Sequence, residues 1–190
     1  MAAKHSRTLA ETGWELMDRK RSILIRELMG RVDEARELQS RIGGAFAEAY
    51  DALRAAELSS GDCAELAAAV DVDESVRLRF RSVMGVEIPA VTAEKKTPDT
   101  LPYDLADSSA ALDEAYRRFT ALKELIARLS ETETAVYRLA VAIRKAQKRA
   151  NALENVVIPG LDRDIARIAE VLEEREREEF VRMKVIKARK

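Results

Sequence analysis

Residues 14–56 read WELMDRKRSILIRELMGRVDEARELQSRIGGAFAEAYDALRAA, and the spacing of their apolar side chains decides the fold. Counted from Trp14 in alternating steps of three and four, eleven of thirteen positions are apolar, the exceptions being Arg21 and Arg31. The thirteen positions, called the α1 seam below, are Trp14, Met17, Arg21, Leu24, Leu28, Arg31, Ala35, Leu38, Ile42, Ala45, Ala49, Ala52 and Ala56. A seam of about six heptads is typical of a coiled coil. We therefore predict a helix over about residues 8–57.

A second apolar series, with a strict seven-residue repeat, runs through the C-terminal half. Its members are Ala115, Leu122, Leu129, Val136, Ile143, Ala150 and Val157. The apolar residues beside them change side near residues 131–133, so the seam is expected to rotate there. The series predicts a helix over about residues 108–188. Proline removes a backbone hydrogen bond and crowds the carbonyl four residues earlier, so Pro159 and Gly160 form a candidate hinge, read either as a bend or as a plain break between two helices.

Two long amphipathic helices joined by an insert are expected to pack antiparallel, because neither can bury its seam alone. Placing Trp14 beside Phe180 predicts contacting residue numbers that sum to about 194. That register sets three alanines of the first helix opposite three of the second: Ala45, Ala49 and Ala52 opposite Ala142, Ala146 and Ala150. The expected fold is mostly α: a long antiparallel two-helix coiled coil with a small α+β head. The expected parts of this single elongated domain are an N-terminal shaft helix (1–58), a head insert (59–107) and a C-terminal shaft helix (108–190).

The insert contains a period-two pattern that predicts a β-hairpin at about residues 74–91. Val76, Leu78 and Phe80 alternate with arginines, as in a half-buried strand. The hairpin carries more apolar surface than two strands can bury, so it needs the helices, a partner or both. The candidate partner contacts in this head are Phe80, Val83, Met84, Val86 and Ile88.

Composition excludes several classes of function. The 190 residues hold 33 Lys+Arg and 34 Asp+Glu, a net charge of −1, which gives no bulk attraction to nucleic acid or membrane. One cysteine, Cys63, and one histidine, His5, cannot make a zinc site. The sequence lacks the GxxxxGK[ST] and GxGxxG phosphate motifs and any long uncharged apolar run. We therefore expect no catalytic residues, no metal, no cofactor and no direct membrane insertion.

Basic residues form two adjacent columns on the predicted second helix. Arg144, Lys145, Lys148 and Arg149 are four basic residues within six, with no acid among them. A solvated face and a contact with an acidic partner surface both fit this pattern. Arg182 and Lys184 belong to a second basic stretch at the chain end, part of which the helix dipole explains.

Four segments resemble the D subunit of the A/V-type rotary ATPases. Residues 149–161, RANALENVVIPGL, resemble the family signature RxNALExVxIP, and residues 175–187, REREEFVRMKVIK, resemble EREExFRLKxIK. The hairpin sequence VMGVEIP (83–89) and the start GWELMDRKR (13–21) are similar to family segments in the same order. One difference is that only twelve residues precede Gly13, where the family usually carries a longer basic helical stretch. Either the segment expected inside the catalytic ring is correspondingly short, or the start of the chain is trimmed.

The resemblance implies a non-catalytic central rotor shaft. In that family the paired terminal helices stand inside a ring of catalytic A and regulatory B subunits. The middle segment binds the small F subunit of the central stalk and couples to a C/d-type socket subunit above the membrane ring. The chain is then expected in the cytoplasm, peripheral to the membrane within a membrane-bound complex. By the same resemblance, the basic residues Arg144, Lys145, Lys148, Arg149, Arg182 and Lys184 are expected to face the catalytic ring.

Two other classes of function stay open on the residues alone. One is a generic antiparallel coiled-coil scaffold that docks proteins through its head. The other is a helical arm that binds structured RNA through residues 144–149, although such binding usually needs more net positive charge than this chain has.

Overall fold

The computed structural model of the chain describes residues 1–61, 63, 68, 70, 75–93 and 108–189. In chain order these residues form α1 (Ala2–Ser60), β1 (Val76–Val83), β2 (Val86–Ala93), α2 (Ala110–Ala152), a π-helical turn (Leu153–Val157) and α3 (Ile158–Ala188). The predicted mostly α fold with long terminal helices and one hairpin is therefore confirmed. The sequence also indicates a short helical piece at residues 62–69 and a polar loop at 92–107, and of these residues the structure describes 63, 68, 92 and 93, so both predictions lie almost entirely outside the described residues.

The contacts between residues of the chain divide it into two units. The terminal unit consists of residues 1–23 and 143–190, and the central unit of residues 24–142. In each unit a segment of α1 runs antiparallel to a segment from the C-terminal half. In the terminal unit Arg7 bonds Asp162 and Arg21 bonds Gln147. In the central unit Gln39 bonds Glu133.

The α1 seam is buried along its whole length. Each of its thirteen positions is buried or half-buried, and Leu24, Ala49 and Ala56 are fully buried. Removing this apolar stripe from water is the main favourable term for pairing such helices. The thirteen-position seam predicted from spacing is therefore confirmed.

The seam of α2 changes side in the central unit. Ala115 and Leu122 are buried, and the next buried residues are Thr132, Ala135 and Leu139. The rotation expected near residues 131–133 is therefore observed. Spacing did not predict Thr132 or Ala135 in the core. The Thr132 hydroxyl donates to the Arg128 carbonyl at 2.9 Å, which satisfies its polar atom inside the helix.

The predicted register of the helix pair is wrong. Gly13 lies beside Leu153, not beside a residue near Phe180. The numbers of these contacting residues sum to 166, whereas the predicted register requires 194. The difference of 28 is four heptads, and a heptad pattern fits equally well after a shift of any whole number of heptads. Phe180 is 27 residues beyond Leu153, or roughly 40 Å along a helix.

The predicted alanine-on-alanine section is also wrong for the same reason. Tyr50, next to Ala49, packs edge-on against Phe119, with ring centroids 5.7 Å apart. The Arg118 guanidinium donates to the Glu48 carboxylate on the same stretch. Residues 48–50 therefore face α2 near residues 118–119, not the alanines at 142–150.

The hairpin closes through a two-residue turn at Met84 and Gly85. Val83 pairs with Val86, and Met84 and Gly85 both have positive φ, of 50° and 76°. Positive φ at both turn residues defines a type I′ turn, which matches the twist of the flanking strands. The strands span residues 76–83 and 86–93, close to the predicted 74–91.

The helix is continuous through Pro159. A π-helical turn precedes it, in which the Ile158 amide bonds the Leu153 carbonyl five residues earlier. Pro159 cannot donate to the Asn155 carbonyl and its ring crowds that oxygen, so a wider turn is a low-cost way past it. The predicted local distortion is present, and the alternative of a plain break between two helices is wrong.

Candidate partner-binding surfaces

The basic columns of the terminal unit are free to meet a partner. Arg144, Lys145, Lys148 and Arg149 are all exposed. Ala146 and Ala150, one helical turn apart on the opposite face, are buried. The helix therefore packs its alanine face inward and exposes its cations. None of the four forms an ion pair within the described part of the chain. Their partner-contact role stays a prediction.

The two basic residues of the tail have local partners. Arg182 lies 3.5 Å from Glu178, one helical turn earlier. The Lys184 ammonium lies 4.9 Å from the centroid of the Phe180 ring, a cation–π distance. Exposed pairs of this kind contribute only about 0–1 kcal/mol, so both cations can exchange these contacts for others.

Most of α3 has no packing partner in the terminal unit. None of its 31 residues is buried. From residue 166 onward every described residue is exposed, including eight large apolar ones: Ile168, Val171, Leu172, Phe180, Val181, Met183, Val185 and Ile186. Before that point α3 is tied to α1 by the Arg7–Asp162 pair at 2.5 Å. The Asp162 carboxylate raises the pKa of the Arg7 guanidinium above its ordinary value by accepting that hydrogen bond.

The five candidate contacts on the hairpin differ in exposure. Ile88 is buried and Val83 and Val86 are half-buried, whereas Phe80 and Met84 are exposed. Ile88 therefore anchors the hairpin within the central unit, and Phe80 and Met84 remain available at the surface. Val76 and Leu78 continue the exposed apolar row along β1.

Polar contacts hold the exposed strand against both helices of the central unit. Arg81 of β1 donates to Glu27 of α1 at 2.8 Å. The Arg138 guanidinium of α2 lies 5.4 Å from the centroid of the Phe80 ring. The Phe80 ring is thus covered on one side by a cation and exposed elsewhere.

An exposed aromatic cluster in the central unit was not predicted from the sequence. Phe46 stacks on Tyr50 with ring centroids 6.3 Å apart, and Tyr50 meets Phe119 edge-on. Phe46 and Tyr50 are both exposed. The signal that could have revealed the cluster is the i,i+4 spacing of two aromatics just outside the seam. Such a patch, rimmed by charged side chains, is suited to protein contact.

The candidate hinge residues are accessible. Pro159 is exposed, and a side chain added at Gly160 would have no neighbour within 4 Å. Packing therefore leaves Gly160 unconstrained, and the π-helical turn before it is the local irregularity on which a hinge would depend.

No metal-binding chemistry is assembled in the described residues, where no group of three or more His, Cys, Asp or Glu side chains could hold an ion. Cys63 is buried against Ala56 and Ala115. Within the described ranges, no helix is both long and apolar enough to cross a membrane.

Comparison with known proteins identifies a family over nearly the whole chain. The sequence model of the ATP synthase D-subunit family matches residues 1–188. The V-type ATP synthase D subunit of Thermotoga neapolitana is 41% identical over 189 residues, which cover 98% of this chain and 93% of that protein. The A-type ATP synthase D subunits of Methanosphaera stadtmanae and Pyrococcus furiosus are 37% and 36% identical, and the aligned residues cover 86% of each.

Proposed function

Because this chain belongs to the ATP synthase D-subunit family, the central-stalk subunit of A/V-type ATP synthases, we propose that it transmits rotation between the catalytic ring and the membrane sector. It acts as a non-catalytic rotor. Chemistry takes place on the catalytic A and regulatory B subunits around it. The chain contributes a shaped surface whose orientation makes the three catalytic interfaces differ in turn.

The observation that carries this proposal is the unpartnered stretch of α3. A helix bearing eight large exposed apolar residues after residue 166 leaves considerable apolar surface in water. The charged residues between them keep the isolated chain soluble and form local pairs, such as Arg177 with Glu173 and Glu174. We infer that this stretch enters the ring of A and B subunits, which surrounds it without binding it permanently.

The basic columns supply a second, weaker contact with the ring. Arg144, Lys145, Lys148 and Arg149 are exposed, as are Arg182 and Lys184. Exposed ion pairs are individually worth about 0–1 kcal/mol. Contacts of that strength can break and form again at each step of a rotation. Acidic groups on the ring subunits are the complement that this surface requires.

The central unit is proposed to hold the F subunit of the central stalk and the C/d-type socket subunit. It offers two apolar surfaces that the helices do not cover: the aromatic cluster around Tyr50 and the β1 row of Val76, Leu78 and Phe80. Buried aromatic anchors are the side chains that contribute most to stable protein interfaces. In this arrangement the chain lies on the cytoplasmic face, peripheral to the membrane.

A rotation assay on the reconstituted catalytic ring tests the proposal. A probe is attached to the chain at an exposed residue of the central unit, and the ring is fixed to a surface. We expect stepwise rotation of the probe during ATP hydrolysis. A variant ending at residue 165 keeps the Arg7–Asp162 contact but lacks the exposed stretch of α3, and we expect it to lose most of its torque. Equal torque from the full and the shortened chain would contradict the proposal.

A capture experiment tests the partners. Affinity purification from native membranes should recover the A, B and F subunits together with the socket subunit in fixed ratio. Recovery of the chain without ATPase subunits would instead favour the scaffold interpretation.

A further inference from the structure

The outer edge of β2 is capped by α2. The Val91 amide donates to the Glu131 carboxylate at 2.9 Å, and the Glu87 carbonyl accepts from the Arg138 guanidinium at 3.1 Å. Residues 87 and 91 are four apart, so both point their backbone groups to the same edge of the strand. Pro89, midway between them, has no amide to satisfy there.

The spacing of the two strand groups matches that of the two helix side chains. Four strand residues span about 13 Å, and seven helical residues span about 10.5 Å. Glu131 and Arg138 are one heptad apart and lie on the same face of α2. At these two points α2 makes the hydrogen bonds that a third strand would make. Glu131 supplies the acceptor and Arg138 the donor that an exposed strand edge requires.

Glu131 also joins the hairpin to α1. Its carboxylate lies 3.7 Å from Arg31, which lies 3.6 Å from Glu27, and Glu27 accepts the hydrogen bond from Arg81. The contacts run from β2 through α2 and α1 and back to β1. Arg31 is one of the two polar positions in the α1 seam, and its side chain is only 20% exposed. Charged groups this covered are costly to leave unpaired, so each member holds the others in place.

Apolar burial alone does not fix the hairpin. Within residues 76–92 only Ile88 and Pro89 are buried. Burial of two side chains is non-directional and permits the hairpin to tilt about them. Hydrogen bonds restrict distance and angle, so the three hydrogen bonds that join Val91, Glu87 and Arg81 to the helices determine its orientation.

We propose that Glu131 and Arg138 are positioning residues that clamp the hairpin edge onto α2, and that Arg31, Glu27 and Arg81 complete the clamp through α1. The clamp makes the hairpin a fixed part of the central unit and presents the β1 row in one orientation. Its consequence for coupling rests on the proposed function, since a hairpin that swings cannot hold a partner against torque. The clamp itself does not depend on that function.

Amide hydrogen exchange of Val91, measured by NMR on the isolated full chain, tests the clamp. Glu131→Leu removes the acceptor, and we expect the Val91 amide to exchange at least about tenfold faster. Amides bonded between β1 and β2 should change much less. Glu131→Gln keeps a neutral acceptor and should restore at least about half of the loss on a logarithmic scale. The matched control is Glu133→Leu, since Glu133 is exposed and bonds Gln39 rather than the hairpin.

A double-mutant cycle on the α1 side gives an independent measurement if Glu131→Leu perturbs folding. Glu27→Gln and Arg81→Gln should each speed exchange of the hairpin amides, and the double variant should show no more than the larger single effect. Unchanged Val91 exchange in Glu131→Leu, an equal effect of Glu133→Leu, or additive effects in the cycle would overturn the clamp. The rotation assay decides the proposed function separately, because the exchange experiments use the isolated chain.

Discussion

Gly13 of α1 lies directly against Leu153, the first residue of the π-helical turn: a Cβ placed on Gly13 would lie 3.7 Å from Leu153 Cδ1. This contact locates the register of the helix pair in the terminal unit. It also leaves room for one methyl group at residue 13 and for little more.

Gly13→Ala should stabilise the chain by about 1 kcal/mol, because alanine is the better helix former and its methyl group meets Leu153 at ordinary van der Waals distance. Gly30→Ala, where no neighbour lies within 4 Å, should give a similar gain. Gly13→Leu should lose that gain through crowding of Leu153, and Gly30→Leu should keep it. Urea unfolding of the four variants measures the difference. A Gly13→Leu variant as stable as Gly30→Leu would show that residue 13 does not face Leu153.

Pro159→Ala should stabilise the helix by up to about 3 kcal/mol, since the new amide can donate to the Asn155 carbonyl and the ring no longer crowds that oxygen. The π-helical turn then has no reason to persist, and its loss would change the direction in which α3 faces. We therefore expect a higher melting temperature together with reduced rotation of the reconstituted complex. Gly160→Ala is the control for the gain in helix propensity, at about 1 kcal/mol. A less stable Pro159→Ala variant would contradict this account.

Charge reversal at Arg144, Lys148 and Arg149 should lower ATP turnover that is coupled to rotation, because it would turn the proposed attraction to acidic groups on the ring into repulsion. All three side chains are exposed, so helix content measured by circular dichroism should not change. Reversal of three exposed charges in the central unit, at Arg36, Arg41 and Arg54, is the matched control. Unaltered coupling in the first triple variant, with the complex fully assembled, would refute the contact.

Deletion of residues 74–89 should leave the helix pairs formed, because most of the α1 seam lies away from Glu27 and Arg31, where the hairpin network joins α1. Glu131, Arg138 and Glu27 lose their hairpin partners and become hydrated. We expect the shortened chain to enter the catalytic ring but to couple poorly to the membrane sector. ATP-driven ion transport in reconstituted vesicles measures this coupling. Full transport by the deletion variant would contradict the proposal that the hairpin helps to hold the F subunit and the socket subunit.

Tyr50→Ala should weaken binding of the F subunit and lower the stability of the isolated chain by about 1–2 kcal/mol, because the exposed ring contacts both Phe46 and Phe119. Loss of one aromatic anchor commonly costs an interface at least about 2 kcal/mol. Tyr137→Ala is the control, since Tyr137 is an exposed tyrosine of α2 outside the cluster. Titration calorimetry with the purified F subunit distinguishes the two variants. Equal binding by the two variants would exclude the aromatic cluster from the interface with the F subunit.

Features that depend on local periodicity and local backbone chemistry could be predicted from the amino-acid sequence. A 3-4 spacing identified every residue of the α1 seam, since a helix can bury only one face. Alternation predicted the hairpin, and the tolerance of glycine for positive φ accounts for Gly85 at its turn but not for Met84. The outward direction of Arg144 and Lys148 follows from the same helical geometry that buries Ala146 and Ala150.

The register of the helix pair, the clamp on the hairpin and the extent of the unpaired α3 could not be predicted from the sequence and are seen only in the folded chain. A seven-residue repeat looks the same after any shift of whole heptads, so apolar spacing cannot choose among registers. The choice falls to a few contacts between residues more than a hundred positions apart, such as Gly13 with Leu153 and Arg21 with Gln147. Arg21 and Arg31 are the two polar positions of the apolar seam. In the folded chain both meet polar partners, Gln147 and Glu131. A polar group inside a seam favours the alignment of the helices that gives it a partner.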